Sequence, residues 1–219
     1  MAPRPQKADP RPAPRLTLVT PHVEDADAFA PDLAAALEGA DIAAVWIRFA
    51  TADERQLINR AKVLVPTVQR KGAAALLGDL PDIAARAGAD GGQLTGTEAF
   101  QASLEMLKPD RIAGIGGIET RHDAMLAAEY GADYVMFGGP SDDGEPADFA
   151  GIEERIAWWA EVFELPCVGF AATHDEIAAL VAAGADFVAL GDLIWSDARG
   201  PRMAVTAAAA RLTLPEKIA

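Results

Sequence analysis

Arg48 and Trp46 are the residues whose types and spacing most directly suggest chemistry. Both lie in the apolar run Ile42–Phe49, two positions apart, so they project from the same side of an extended strand. A guanidinium group suits phosphate or carboxylate because its N–H donors form a planar fork. We therefore expect both residues to bind an anionic substrate, with Arg48 also a catalytic candidate. The alternative role for Arg48 is an internal salt bridge, for example to Asp79.

Two acids, Asp79 and Glu98, each follow a short apolar run. A Mg²⁺ ion in an enzyme site is commonly held by one or two carboxylates together with phosphate oxygens of the substrate. These residues predict a Mg²⁺ site at Asp79 and Glu98, and Asp79 is a candidate catalytic base. The alternative is helix capping, with Asp79 capping the helix that begins at Pro81 and Glu98 forming a capping box with Thr95.

Three glycines complete the set of candidate binding residues, because a glycine lets a ligand approach the backbone closely. Gly117, Gly138 and Gly191 each follow an apolar run that is typical of a buried strand. Backbone amides at such a position can bind phosphate, especially where a helix begins directly afterwards. Asp192 opposes this role at Gly191, because its charge competes with phosphate for the positive end of the helix.

The tripeptide Gly-Ala-Asp occurs four times and indicates a repeated structural unit. Its copies begin at Gly39, Gly88, Gly131 and Gly184, each after an alanine-rich pattern and before a short apolar run. A glycine there ends a helix in a left-handed conformation, so the chain can turn directly into a strand. Four further apolar runs lie between these units. The eight predicted strands are Leu16–Thr20, Ile42–Phe49, Ala73–Leu77, Gly91–Thr95, Ile112–Ile115, Tyr134–Phe137, Cys167–Phe170 and Phe187–Leu190.

Eight short strands that alternate with helical patterns predict a single (β/α)8 barrel, and 219 residues are enough for one. The predicted helices cover about 25–37, 52–70, 81–87, 98–107, 120–130, 152–163, 175–183 and 202–212. The alternative is an open doubly wound sheet, which usually has a glycine-rich phosphate loop after its first strand. Residues 20–25 contain no glycine and two acids, so we favour the barrel.

The first 15 residues differ in composition from the rest, with five prolines, four basic residues and one acid. Because proline blocks regular helices, we predict a flexible basic tail over 1–15, a barrel domain over 16–214 and a C-terminal tail over 215–219. The whole chain carries a net charge of −14, of which the tail contributes +3, so the remainder carries −17. Such a negative body repels nucleic acids and anionic membranes, and we expect neither as a partner.

No stretch approaches the roughly 20 uninterrupted apolar residues of a membrane span, and the tail has no apolar signal-peptide core. The chain has one cysteine, which excludes an intrachain disulfide. We therefore expect a cytoplasmic protein. Trp158 and Trp159 lie on one predicted helix, so one can pack on the barrel while its neighbour is a candidate for a homo-oligomer interface.

Three segments carry a family resemblance: Leu-Thr-Leu-Val-Thr-Pro at 16–21, Gly-Ala-Asp-Tyr-Val-Met-Phe-Gly at 131–138 and Ala-Gly-Ala-Asp-Phe-Val-Ala-Leu at 183–190. They resemble strands of the thiamine phosphate synthases and the related TenI thiazole tautomerases, and the similarity runs from about 15 to 194. The resemblance implies a (β/α)8 barrel that joins hydroxymethylpyrimidine diphosphate to thiazole phosphate with Mg²⁺ in thiamine biosynthesis. A phosphorylated or anionic heterocycle is then the expected ligand.

Only part of this family's binding pattern is retained. The family's Gln-x-Arg-x-Lys after the second strand falls at Trp46, Arg48 and Ala50, so only the arginine matches. By the same resemblance, Asp79 and Glu98 match two metal-binding acids. The family's other groups are replaced. Gly117 stands in place of a serine, and Glu119 in place of the TenI histidine. Ala171 and Ala172 replace paired glycines, Gly191 and Asp192 replace a closing Val-Ser, and the Thr-x-Thr-Lys lid has no counterpart over 141–148.

These replacements remove donors and positive charges that would stabilise a departing diphosphate. If each removed donor reduces the rate roughly 10²–10³-fold, their combination predicts weak, altered or lost synthase activity. The alternative is a non-catalytic barrel that binds a ligand or a partner, which the glycine-rich, lysine-poor mouth motivates.

Overall fold

The computed structural model describes residues 12–140 and 148–213, which form a closed barrel of eight parallel strands in sequence order. The strands are β1 (Arg15–Val23), β2 (Ile42–Phe49), β3 (Ala74–Gly78), β4 (Gly91–Thr95), β5 (Ile112–Gly116), β6 (Tyr134–Phe137), β7 (Cys167–Ala171) and β8 (Phe187–Leu190). The helices are α1 (Ala26–Ala36), α2 (Glu54–Gln69), α3 (Pro81–Ala87), α4 (Thr97–Leu107), α5 (Arg121–Glu129), α6 (Phe149–Val162), α7 (His174–Ala183), α8 (Asp192–Trp195) and α9 (Pro201–Ala209). Because β8 also pairs with β1, the predicted (β/α)8 barrel is confirmed.

Three of the four glycines of the Gly-Ala-Asp repeats, Gly88, Gly131 and Gly184, adopt the predicted left-handed conformation after a helix. The prediction is wrong for Gly39, which is not left-handed and lies two residues after the C-cap of α1, Leu37. Gly88 and Gly184 follow α3 and α7 with φ of 73° and 98°, in the left-handed region that glycine adopts without steric cost. The alanine that follows each of them is buried and donates its N–H to a carbonyl in the last turns of the helix. Each helix therefore stops at the point where the next strand must begin.

The aspartates of the repeats fasten the amino-terminal end of the barrel. Asp90 donates its N–H to Ala75 O (2.9 Å), and its carboxylate accepts from Ala75 N (2.8 Å). This pair of bonds ties the start of β3 to the residue directly before β4. The same arrangement joins Asp133 to Ala113 and Asp186 to Cys167.

Two apolar clusters fill the molecule. The larger one lies between the strands and the surrounding helices. The smaller one lies inside the barrel, where alternate side chains of the strands meet. Its members are Val19, Met136, Val168, Phe170 and Ala189, with Trp46, Tyr134 and Phe187 packed against them.

The predicted strands and helices are all present, with boundaries within three residues of the prediction, and there are two further differences. β1 begins at Arg15, inside the predicted tail, because Arg15 N–H donates to Asp186 O (3.2 Å) and its guanidinium group pairs with Asp41 (2.7 Å). The four-residue helix α8 was not predicted, since one turn is too short to show a helical period. Of the predicted tails over 1–15 and 215–219, residues 1–11 and 215–219 lie outside the described residues, as does Leu214 at the end of the predicted barrel domain. Within the described part of the chain, no helix is long and apolar enough to span a membrane.

Candidate active site

A pocket of about 590 Å³ opens at the mouth of the barrel, where the strands end. Five of the seven predicted site residues line this one space, and Glu98 and Gly191 do not. The lining residues are His22, Trp46, Arg48, Phe49, Ala50, Thr51, Ala52, Leu57, Gly78, Asp79, Leu80, Thr95, Gly116, Gly117, Met136, Gly138, Gly139 and Pro140.

Arg48 is held at the mouth by Thr20 of β1. Its Nε donates to Thr20 O (2.9 Å), and its backbone N–H donates to Thr20 Oγ1 (2.9 Å). β1 is irregular here, because Pro21 has no N–H and the β1–β2 register shifts between Val19 and His22. The contact with Thr20 O uses one of the five N–H donors of the guanidinium group and fixes its orientation.

Trp46 separates the mouth pocket from the interior of the barrel. The guanidinium carbon of Arg48 lies 5.8 Å from the centre of its ring, within cation–π range. The indole fits against β3 because Gly78 has no side chain, and a Cβ there would collide with Trp46 Nε1. That nitrogen is buried and has no hydrogen-bond partner among the described residues. Trp46 therefore combines an aromatic surface with an unsatisfied donor.

Asp79 connects the loops after β3 and β4. Its Oδ1 accepts from Thr95 N–H (2.8 Å), and its Oδ2 accepts from the Thr95 hydroxyl (2.9 Å). Asp79 has a φ of 49°, which is uncommon for a residue other than glycine. The alternative prediction that it caps α3 is wrong, since the N-cap of α3 is Leu80 and no side chain bonds there. Asp79 instead bonds Thr95 and is part of the lining of the mouth pocket.

Glu98 lies apart from this pocket. It is exposed in the first turn of α4. The predicted capping box with Thr95 does not form, because α4 begins after Gly96 without a side-chain cap. In the part of the chain that the structure describes, no group of three or more His, Cys, Asp or Glu side chains is placed to hold a metal ion. Joint binding of Mg²⁺ by Asp79 and Glu98 stays a prediction.

The strands β5 and β6 contribute mainly backbone to the pocket. Gly117 and Gly138 have φ of 64° and 76°, so both positions favour glycine. A Cβ on Gly117 would lie 2.8 Å from Thr95 Cγ2, and a Cβ on Gly138 would collide with Ile152. The glycines predicted to bring the main chain close to a ligand therefore form one wall of the pocket.

Gly191 is buried beneath an aromatic corner of the mouth. The ring of Phe170 lies 3.4 Å from the position that a Cβ on Gly191 would take. Trp195 closes the same corner, since its Nε1 donates to Val19 O (2.7 Å) and its ring lies 4.9 Å from that of Phe29. In many barrels the loops after β7 and β8 bind phosphate. Here the described residues at this corner pack against one another.

Two supporting residues, Thr20 and Thr95, were not among the predicted site residues. Thr20 carries a sequence signal, because a proline directly after it in a strand indicates a local break in the strand pairing. The hydroxyl of Thr95 was assigned to a helix cap, whereas it bonds Asp79 across the mouth. Both contacts link residues of different β/α units, so the partner of neither threonine could be predicted from local sequence.

Comparison with known proteins shows which protein family has a similar sequence. A family model described as "Thiamine monophosphate synthase" matches residues 16–194. The chain is 40% identical over 195 residues to thiamine-phosphate synthase of Rhodospirillum centenum, covering 87% of this chain and 94% of that protein. It is 34% identical over 212 residues to thiamine-phosphate synthase of Hyphomonas neptunium, covering 91% and 94%.

The fold has a similar counterpart among solved structures. Thiamine phosphate pyrophosphorylase from Pyrococcus furiosus superposes with a TM-score of 0.75 at 22% identity, covering 90% of this chain and 95% of that one. The structural likeness is evidence for the fold, and the sequence matches are evidence for the family. The chain belongs to the thiamine monophosphate synthase family.

Proposed function

We propose that the mouth pocket binds a phosphorylated heterocycle and that the protein couples hydroxymethylpyrimidine diphosphate to thiazole phosphate, with weak or altered activity. The observation that carries this proposal is the meeting of Trp46, Arg48 and Asp79 at one pocket. An arginine beside an aromatic ring suits a ligand with a charged end and a planar ring. The name of the two relatives, thiamine-phosphate synthase, supports the same substrate class.

The chemistry requires stabilisation of a leaving group. The thiazole nitrogen forms a bond to the methylene carbon of the pyrimidine, the carbon–oxygen bond to diphosphate breaks, and diphosphate leaves with the electron pair. Negative charge grows on the leaving oxygens, so a fixed positive group beside them lowers the barrier. We assign this role to Arg48, which Thr20 orients. We assign to Trp46 the stacking that holds a ring in place for attack.

Asp79 fits a Mg²⁺ ion that is held mainly by substrate oxygens. Each of its carboxylate oxygens accepts one hydrogen bond from Thr95 and keeps a further lone pair. Sites of this kind need only one or two carboxylates. When bound, Mg²⁺ would neutralise charge on the diphosphate. Glu98 is not part of the pocket lining, so we assign the main ligand role to Asp79.

A second candidate function is ligand binding without catalysis. It is favoured by the aromatic corner, where the ring of Phe170 packs against Gly191, and by the pocket lining, which includes none of the described residues after β7 and β8, where many barrels bind phosphate. A protein that holds one anionic heterocycle at Arg48 without turning it over would have this arrangement. Binding and turnover therefore have to be measured separately.

The test combines an activity assay with a binding assay on the full chain. The purified protein is incubated with both substrates and Mg²⁺, and thiamine phosphate is quantified against a no-protein control. We expect slow formation that Arg48→Ala abolishes and that Arg55→Ala, an exposed arginine on α2, leaves unchanged. Absence of product would overturn the synthase proposal. Thermal stabilisation by the pyrimidine diphosphate that is lost in Arg48→Ala, without turnover, would support the binding protein instead.

Expectations about partners and location extend this proposal. Trp159 is fully buried, which confirms that one of the two tryptophans packs on the barrel. Trp158 is half-buried, with Arg121 over its ring at 4.8 Å. An oligomer interface near Trp158, a cytoplasmic location and the absence of nucleic-acid binding stay predictions.

A further inference from the structure

Arg60 of α2 is a half-buried arginine that lies behind the wall of the mouth pocket and is not part of its lining. Its Nη1 donates to Ala50 O (2.9 Å) and lies 3.5 Å from Val23 O. Val23 O also accepts the N–H of Ala50 (3.1 Å). Arg60 therefore joins the carboxyl ends of β1 and β2 at the point where the chain leaves β2, and residues 50–52 of this connection line the pocket.

No carboxylate neutralises Arg60 in the part of the chain that the structure describes. Its acceptors there are backbone carbonyls, and no described Asp or Glu side chain lies within ion-pair distance of it. Other arginines do pair with an acid, namely Arg15, Arg86, Arg121, Arg199 and Arg202. A cation that is partly withdrawn from water without a counter-ion costs free energy, so its place beside the mouth favours a role with a bound anion.

The bond from Arg60 also fixes the peptide between Ala50 and Thr51. This peptide is trans, so its C=O and N–H point in opposite directions. Since the C=O points at Arg60, the Thr51 N–H points away from Arg60, and Thr51 itself lines the mouth pocket. That N–H donates to no acceptor among the residues that the structure describes. It is a backbone donor of the kind that binds phosphate oxygens.

We propose that Arg60 is a positioning residue for the anionic end of the ligand, an inference that rests on the anion binding of the proposed function. Arg60 holds the peptide so that the Thr51 N–H stays available to a phosphate oxygen. Its own charge lies one peptide behind that donor, where partial burial leaves it less screened by salt than an exposed charge. These two effects of one side chain strengthen anion binding on the β2 side of the mouth, beside Arg48.

The experiment measures binding of pyrophosphate and of orthophosphate to the full chain by isothermal titration calorimetry. Arg60→Gln keeps a donor for Ala50 O and removes the charge, whereas Arg60→Lys keeps the charge. Arg70→Gln is the matched control, because it removes an exposed arginine at the other end of the same helix. The Thr51 amide of the ¹⁵N-labelled chain is followed during the pyrophosphate titration, and circular dichroism checks that each variant is folded.

We expect Arg60→Gln to weaken pyrophosphate binding roughly fivefold and orthophosphate binding roughly twofold, because the Coulomb energy grows with the charge of the ligand. Arg60→Lys and Arg70→Gln should each change both affinities less than about twofold, since one keeps the charge and the other removes a screened one. Pyrophosphate should shift the Thr51 amide of the wild-type chain. If Arg60→Gln does not fold, Arg60→Met, which keeps the apolar part of the side chain, replaces it with the same expected outcomes.

Equal losses for the two anions, or equal losses in Arg60→Gln and Arg60→Lys, would show that Arg60 only supports the shape of the mouth, which contradicts the inference. An unshifted Thr51 amide would contradict it as well. Unchanged affinity in Arg60→Gln, with pyrophosphate binding lost in Arg48→Ala, would overturn this inference and leave the proposed function in place. A wild-type chain that binds pyrophosphate as expected but forms no thiamine phosphate would overturn the synthase proposal and leave the role of Arg60 intact. A wild-type chain that binds neither anion would overturn both.

Discussion

The two halves of the barrel mouth differ in the chemical groups that they present to a ligand. Strands β1 to β4 supply side chains with chemistry, among them Arg48, Asp79 and Thr95. On the other half, β5 and β6 supply mainly glycine backbone, and the described residues after β7 and β8 do not line the pocket. Gly191 is instead buried beneath Phe170.

This contrast predicts which part of a ligand each half of the mouth would contact. A charged group gains most next to Arg48, so the anionic end of a ligand belongs on the β2–β3 side. The glycine wall can be approached closely, so we propose that it contacts the uncharged part of the ligand. Substitutions should therefore affect ligand affinity on one half and stability on the other.

The largest effect is expected for Gly138→Ala on the backbone half. The new Cβ would collide with Ile152 and would hold alanine at a φ of 76°. Left-handed strain costs about 1–2 kcal/mol and overpacking about 1–3 kcal/mol, so we expect the free energy of unfolding to fall by about 3 kcal/mol. Urea denaturation followed by circular dichroism measures this change.

Two neighbouring glycines provide matched controls. Gly96→Ala meets no atom within 4 Å but has a φ of 81° and a ψ of 155°, a conformation that is essentially restricted to glycine, so only a backbone cost of about 1–3 kcal/mol applies. At Gly139 nothing lies within 4 Å and φ is not in the left-handed region, so Gly139→Ala should change stability by less than about 0.5 kcal/mol. Equal effects for Gly138 and Gly139 would show that the wall is not tightly packed.

The fold followed from the sequence more completely than the site did. The bounds of Ile42–Phe49, Gly91–Thr95, Tyr134–Phe137 and Phe187–Leu190 agree with the predicted strands. Each is a short apolar run set off by Gly-Ala-Asp or another turn signal, which is local information.

The contacts that complete the site are not local. Thr20 reaches Arg48 across 28 positions, and Asp79 reaches Thr95 across 16. The packing of the Phe170 ring against Gly191 also depends on how β7 and β8 lie next to each other. Residue type could predict which side chains are suited to bind an anion, but tertiary packing decides that Glu98 and Gly191 lie outside the pocket.

The second largest effect is expected for Arg48→Ala on the side-chain half. A hydrogen bond to a charged group contributes about 1.5–3 kcal/mol, so pyrophosphate affinity should fall roughly 30-fold in isothermal titration calorimetry. Arg55→Ala removes the same charge from an exposed position of α2 and should change affinity less than about twofold. Similar losses in both variants would mean that net charge, rather than a contact at the mouth, governs binding.

An effect of similar size is expected for Asp79, which belongs to the side-chain half but also supports the fold. Asp79→Ala removes two hydrogen bonds from Thr95 and places alanine at a φ of 49°, so stability should fall by about 2 kcal/mol. Asp79→Asn keeps one acceptor and a side chain that tolerates this conformation, so its loss should be about half as large. If Asp79 also holds Mg²⁺ with the substrate, both variants lose the Mg²⁺ dependence of pyrophosphate binding. Retention of that dependence in Asp79→Ala would exclude Asp79 as the ligand.

The smallest effect is expected for Asp192→Asn at the aromatic corner. Asp192 is exposed in the first turn of α8, directly after Gly191, and neither residue lines the pocket. If the anionic group binds only on the β2–β3 side, removing this charge should change pyrophosphate affinity by less than about twofold at physiological ionic strength, where exposed charges are screened. If phosphate instead binds after β8, loss of a competing charge at the same helix end should raise affinity several-fold, since such an interaction is worth about 0.3–1 kcal/mol. A clear gain of affinity in Asp192→Asn would therefore contradict the proposal that the anionic group binds only on the β2–β3 half of the mouth, even if Arg48→Ala behaves as expected.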